Sequence, residues 1–217
     1  MSAVRTLEER CVDATLLLAL WARCAQDPSQ DAGDKLRQMK LAFLAAFRLQ
    51  EERVRALTLS FYRWRWGPLS NDVYETWGML EAAGLVNQEE HFVFTRAGER
   101  LARAFYDEVL RDEPNALVRA VIDGVAAEWQ PDPSTGALLR SVYAMRVRPL
   151  GSEQELPIEA IVEGTELLAP MPLGEARAAL QIDSGWLETL ALTLSPGADV
   201  PLRRAVEDFR SGRVRVG

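Results

Sequence analysis

The 217-residue sequence is poor in the residue types that build metal and redox sites. It contains one histidine, His91, and two cysteines, Cys11 and Cys24. On one helix those cysteines would lie about 20 Å apart and could not bridge each other. One histidine and two distant cysteines also cannot provide the usual ligand set of a zinc site. We therefore expect reduced, buried thiols and neither a metal nor a cofactor.

Motifs of common catalytic and membrane classes are absent as well. No glycine-rich phosphate loop and no serine nucleophile on a strand–turn–helix elbow is present. The longest apolar run, residues 14–22, is too short to span a bilayer, and no apolar leader with a cleavage site precedes it. We expect a cytoplasmic protein without catalytic residues.

The composition that remains is that of an acidic globular protein. Hydrophobic residues make up 48% of the chain, and the formal net charge is -7. A field of that sign repels nucleic acids and anionic membranes. The C-terminal half has more acidic than basic residues, which would suit a basic partner, for example a toxin that itself binds nucleic acid.

Hydrophobic periodicity and capping signals predict a mainly α fold with a small β component. The first half contains four predicted helices, a strand that ends in a Gly67-Pro68 turn, and a hairpin. The helices cover residues 7–26, 35–53, 71–83 and 96–111, the strand covers 57–66, and the hairpin joins 85–86 to 91–94. This order is typical of a winged-helix-like core with a short antiparallel hairpin, and we assign it to a domain of residues 1–112.

Residues 113–217 are predicted to form a helical C-terminal region that packs on the first domain or forms its own. Its predicted helices cover residues 115–129, 134–145, 176–182, 185–194 and 201–211, and residues 213–216 could form an edge strand. The first helix of the chain is apolar enough to form a dimer interface, so a homodimer is an open alternative.

The predicted strand carries a small arginine cluster. Phe61 lies on the apolar face, whereas Trp64 and Trp66 lie on the other face, which we expect to pack in the core. Arg63 and Arg65 are expected to emerge at the strand end. With Arg53 and Arg55 they could contact phosphates or a partner's carboxylates; alternatively, they form a solvated strand end.

The helix over residues 71–83 occupies the position with which winged-helix proteins read DNA. It carries Asp72, Glu75 and Glu81 and no basic residue, whereas a helix that faces DNA should be basic. Its charge favours a protein partner. Trp77 is expected in the core, and Tyr74 would mark a partner site if it is exposed.

Three segments together resemble the Panacea-domain family, the SocA-like antitoxins of bacterial and phage toxin–antitoxin systems. Residues 35–44 (KLRQMKLAFL) resemble its Lys-Leu-x-x-x-Lys-Leu-Leu-Tyr-Leu helix, with Phe43 in place of the tyrosine. The Trp66-Gly67-Pro68 turn with residues 73–86 (VYETWGMLEAAGLV) resembles its Tyr-Gly-Pro turn and following helix. Residues 92–103 (FVFTRAGERLAR) resemble its wing and next helix.

The resemblance covers roughly residues 10–110 and implies a protein that neutralises a toxin by binding it or by delivering it to a protease. Residues 111–217 resemble nothing comparable. We therefore expect a non-enzymatic protein-binding module, an antitoxin-like neutraliser or adaptor, with Arg53, Arg55, Arg63, Arg65, Asp72, Tyr74 and Glu75 as candidate contact residues. The alternative is a winged-helix transcriptional regulator that binds DNA through the four arginines and the wing.

Overall fold

The computed structural model describes residues 5–29, 31–87, 92–130 and 134–195, and this part of the chain is mainly helical with small β hairpins. The α-helices are α1 (Leu7–Cys24), α2 (Lys35–Glu51), α3 (Asn71–Ala82), α4 (Arg96–Ala104), α5 (Ala116–Trp129), α6 (Thr135–Ala144) and α7 (Ser184–Leu194). The strands are β1 (Val54–Arg55), β2 (Phe61–Trp64), β3 (Gly67–Leu69), β4 (Val86–Asn87), β5 (Val93–Phe94), β6 (Arg146–Val147), β7 (Leu156–Pro157), β8 (Glu166–Leu168) and β9 (Ala178–Ala179). A π-helical segment, Phe105–Leu110, continues α4.

Local capping explains where the helices begin. Thr6 and Glu9 form a reciprocal capping box on α1, and the Asp34 side chain accepts a hydrogen bond from the Arg37 amide at the start of α2. Thr95 caps α4 in the same way by accepting from the Gly98 amide. The predicted helices in the first half are confirmed, with ends within about two residues for α1 and α2.

The winged-helix-like core is formed by α3, the β4–β5 hairpin and α4. Gly84, with φ +68°, ends α3, and Val86 then pairs with Phe94 across the hairpin. The hairpin packs on α1, where the Trp21 ring lies 5.5 Å from Phe92 between centroids. His91 and the predicted turn at residues 88–90 lie outside the described residues.

The C-terminal half is joined to this core by strand pairing. β8 pairs with β2 in antiparallel orientation, β9 pairs with β1 in parallel, and α7 packs on α1. The helix predicted over residues 176–182 is wrong, because Arg177 and Leu180 donate backbone hydrogen bonds to Arg53 and Arg55. The predicted boundary at 112/113 therefore divides residues that share two sheets. The predicted elements at 201–211 and 213–216 lie outside the described residues.

Within the described ranges, none of the helices has both the length and the apolar character needed to cross a bilayer.

Candidate partner-binding groove

Two exposed tryptophans lie on the β2–β3 hairpin. Trp64 pairs with Gly67, so Arg65 and Trp66 form the turn, and the turn predicted at Gly67-Pro68 comes two residues too late. Trp64 is 51% exposed and Trp66 is 61% exposed. Gly67 has φ +84°, a conformation that favours glycine. This conformation lets β3 begin directly after the turn.

The exposure of Arg63 and of the two tryptophans is the reverse of the predicted one. Arg63 is buried at 8% exposure, whereas the tryptophan face is open to solvent. The Arg63 Nε donates to the Ile158 carbonyl at 2.8 Å, and its Nη1 donates to the Trp64 carbonyl. Its guanidinium also lies 5.6 Å from the centre of the Tyr143 ring. The cation is buried because carbonyls and an aromatic face replace water around it.

A second buried cation, Lys40, lies next to Arg63 beneath the hairpin. Lys40 and Arg37 of α2 are both buried, although long cationic side chains are seldom buried. The Lys40 Nζ donates to the Pro68 carbonyl at 2.6 Å. Burial, with a smaller contribution from the Arg63 charge, lowers the pKa of Lys40 to about 7.

The hairpin, α2 and α3 enclose a groove of about 300 Å3, which we call the aromatic groove. Tyr74, on α3, is 51% exposed and contacts the buried Trp77 edge to face at 4.9 Å. An exposed aromatic at this position is the arrangement that would mark a partner site. The groove is lined by Lys35, Leu36, Met39, Lys40, Trp64, Trp66, Gly67, Pro68, Leu69, Tyr74 and Trp77.

The four predicted arginines do not form one surface patch. Arg55 donates to the Met171 carbonyl at 2.7 Å and to Glu9 at 2.8 Å. The Arg53 guanidinium donates to the Glu175 carbonyl at 2.9 Å. With Arg63 donating to the Ile158 carbonyl, three of the arginines hold the C-terminal half against the first half. Arg65, the fourth, is exposed and lies 5.3 Å from the centre of the ring of Trp66, a groove residue.

Two of the three acidic side chains of α3, Asp72 and Glu75, are engaged by an arginine of the same chain. Arg5 forms ion pairs with Asp72 at 2.9 Å, Glu75 at 2.8 Å and Asp13 at 3.0 Å. Asp72 also accepts the Ser60 amide at 2.8 Å. Arg5 therefore partly neutralises the negative charge that the sequence predicts on the surface of this helix.

Sequence reasoning missed Trp64, Trp66, Lys35 and Lys40 as groove residues. The sequence did indicate that the tryptophans are exposed. Alternate side chains of a strand share a face, so Arg63 lies on the same face as the buried Phe61, and Trp64 lies on the opposite face. That alternation was outweighed by the rule that arginines are seldom buried.

A larger cavity of about 540 Å3 lies between α1 and α4. Two of its arginines form ion pairs, Arg23 with Asp123 at 3.0 Å and Arg111 with Asp107 at 3.3 Å. The aromatic groove differs because its large apolar side chains are exposed.

Comparison of the chain with protein-family models, curated proteins and solved structures returned no match.

Proposed function

We propose that the protein is a non-enzymatic protein-binding module that holds its partner at the aromatic groove. The observation that carries this proposal is the grouping of Trp64, Trp66 and Tyr74, each more than half exposed, around one concave surface. Tryptophan and tyrosine dominate the binding energy of protein interfaces because they bury a large area at a low entropic cost. Leaving such side chains in water is unfavourable unless a partner covers them.

We further propose that the partner is a toxin and that this protein acts as an antitoxin-like neutraliser or adaptor in the cytoplasm. The resemblance to the Panacea-domain family supports the toxin, and the two free, buried cysteines are compatible with a reducing compartment. Asp72 and Glu75 of α3, whose charge favoured a protein partner over DNA, are engaged by Arg5. The groove is therefore the better guide to the chemistry of the partner.

The test is expression of the protein encoded by the adjacent gene, alone and together with this chain. We expect growth arrest from the neighbour alone and rescue on co-expression. The double variant Trp64→Ala/Trp66→Ala should lose rescue, whereas Leu150→Ala, which removes an exposed apolar side chain outside the groove, should keep it. Continued arrest in the presence of the unmodified chain would contradict the antitoxin role.

The alternative is a winged-helix regulator that binds DNA. It has the order of α3 and the β4–β5 hairpin in its favour, but three of the four arginines proposed for phosphate contact donate to backbone carbonyls instead. A mobility-shift titration at low salt, with Arg65→Glu as the variant, tests it. A complex that weakens steeply with added salt and in the variant would establish DNA binding.

A further inference from the structure

The aromatic groove carries positive charge that the chain does not neutralise itself. Lys35 is exposed and lines the groove, and Arg65 is exposed beside the groove residue Trp66. Lys40 is a buried lining residue, and Arg63 is buried close enough for its charge to act on Lys40. Among the described residues none of these four forms an ion pair with a carboxylate, although Arg5, Arg23, Arg48 and Arg55 do so elsewhere. No aspartate or glutamate is among the described residues that line the groove. The chain as a whole has a net charge of -7, so the charge at the groove is opposite in sign to the charge of the whole chain.

The apolar part of the groove is small and aromatic. A volume of about 300 Å3 is at the lower end for ligand pockets, which suits one or two side chains of a peptide. Trp64, Trp66 and Tyr74 offer ring faces and edges to an aromatic or aliphatic side chain. The two exposed cations lie beside rings that line the groove, since the Lys35 Nζ is 5.8 Å from the centre of the buried Trp77 ring and the Arg65 guanidinium is 5.3 Å from the centre of the Trp66 ring.

We infer that the groove binds a short acidic segment of a partner protein, in which an apolar side chain enters among Trp64, Trp66 and Tyr74 while flanking carboxylates approach Lys35 and Arg65. This inference rests on the proposed protein-binding function. Charge complementarity selects the segment, and burial of the rings supplies most of the affinity.

A single-stranded nucleic acid is the competing occupant, because aromatic rings beside cations also bind bases and phosphates. Such sites follow the backbone with a series of cations, whereas of the four described cations at the groove only Lys35 and Arg65 are exposed. A peptide therefore fits the groove better.

Isothermal titration calorimetry of the full chain tests the inference with four probes. The first is an eight-residue peptide, blocked at both ends, with Leu-Phe at its centre and Asp or Glu elsewhere. The second has Lys at all six flanking positions, the third keeps the acidic flanks but replaces Leu-Phe with Gly-Gly, and the fourth is a ten-nucleotide oligothymidine.

We expect the acidic Leu-Phe peptide to bind at least about ten-fold more tightly than the other three at 50 mM salt, with a smaller charge preference at 300 mM. The Lys35→Glu/Arg65→Glu variant should lose the preference for acidic flanks, and Trp64→Ala/Trp66→Ala should lose binding to the Leu-Phe centre. Leu150→Ala should behave like the unmodified chain, and circular dichroism should show that all variants fold.

Equal or tighter binding of the lysine, Gly-Gly or nucleotide probe would overturn the inference, as would no detectable binding of the acidic peptide at millimolar concentration. Rescue of growth is a separate readout for the proposed function. If rescue depends on Trp64 and Trp66 but the acidic peptide does not bind, the function stands and the acidic chemistry of the occupant is wrong. If the tryptophan double variant still rescues, the groove itself is not the binding site.

Discussion

Lys40 is the residue whose position is least expected from the sequence. Its ammonium lies under the β2–β3 hairpin, bonded to the Pro68 carbonyl, and its pKa is lowered from 10.5 to about 7 mainly by burial. The unfolded chain therefore binds more protons at this position than the folded chain between about pH 7 and pH 10. The free energy of unfolding should rise with pH across that window and should fall as pH drops toward 7.

We predict that Lys40→Met removes this pH dependence. For the unmodified chain, Lys40 alone should raise the free energy of unfolding by about 2 kcal/mol between pH 7 and pH 9. Urea unfolding at both pH values measures the difference. Lys35→Met, which removes a lysine that is exposed, should keep the rise. An equally steep rise in Lys40→Met would show that Lys40 is not its source.

Gly67 is a second residue on which the groove depends. A Cβ there would lie 3.4 Å from the Tyr143 ring and 3.5 Å from the Lys40 Nζ, at φ +84°. We predict that Gly67→Ala lowers the free energy of unfolding by about 1–2 kcal/mol. Gly124→Ala, at a helical glycine with open space around it, should instead raise it by about 0.5–1 kcal/mol. Chemical denaturation of both variants makes the comparison, and equal effects would contradict the strain argument.

At the scale of elements, the helices of the first half follow from local chemistry. Thr6, Asp34 and Thr95 are capping residues that the sequence displays, and apolar residues repeat at helical spacing behind each. The error at 176–182 has a different origin. Ala178 pairs with Val54, and no signal near residue 178 indicates a partner so distant along the chain.

The contact between α4 and the end of α3 depends on a close approach at Gly98. A Cβ at that position would lie 2.1 Å from the Leu85 carbonyl oxygen, the same oxygen that accepts the Thr95 amide at 3.0 Å. We predict that Gly98→Ala forces α4 away from Leu85 and lowers the free energy of unfolding by about 1–3 kcal/mol. Gly136→Ala, at a helical glycine with ordinary contacts, is the control and should not destabilise. Thermal unfolding followed by circular dichroism distinguishes them.

At the scale of the whole molecule, the two halves of the sequence contribute strands to the same two sheets, which their composition does not indicate. β2 is paired with β8, and β1 with β9, so the first half provides strands whose partners come from the second. Three of the four arginines that sequence reasoning assigned to an external partner, Arg53, Arg55 and Arg63, form part of this junction. This role of the arginines inside the molecule could not be predicted, because no sequence motif marks an arginine that donates to a backbone carbonyl of the same chain.

We therefore predict that a fragment of residues 1–112 does not fold cooperatively. It would expose the face of α1 that α5 and α7 cover and leave β1 and β2 without partners from the second half. Urea titration followed by circular dichroism should give one sharp transition for the full chain and a broad, weak one for the fragment. A fragment that unfolds as sharply as the full chain would establish an independent first domain.

The tryptophans of the β2–β3 hairpin also make the intrinsic fluorescence of the protein a probe of the aromatic groove. Of six tryptophans, Trp21, Trp77 and Trp129 are buried and Trp186 is half-buried, so Trp64 and Trp66 are the two most exposed to bulk water. Indole emission shifts to shorter wavelength when water leaves the ring. Occupation of the groove should thus be visible as a blue shift and as shielding from acrylamide quenching, in the unlabelled chain and with any candidate occupant that lacks tryptophan.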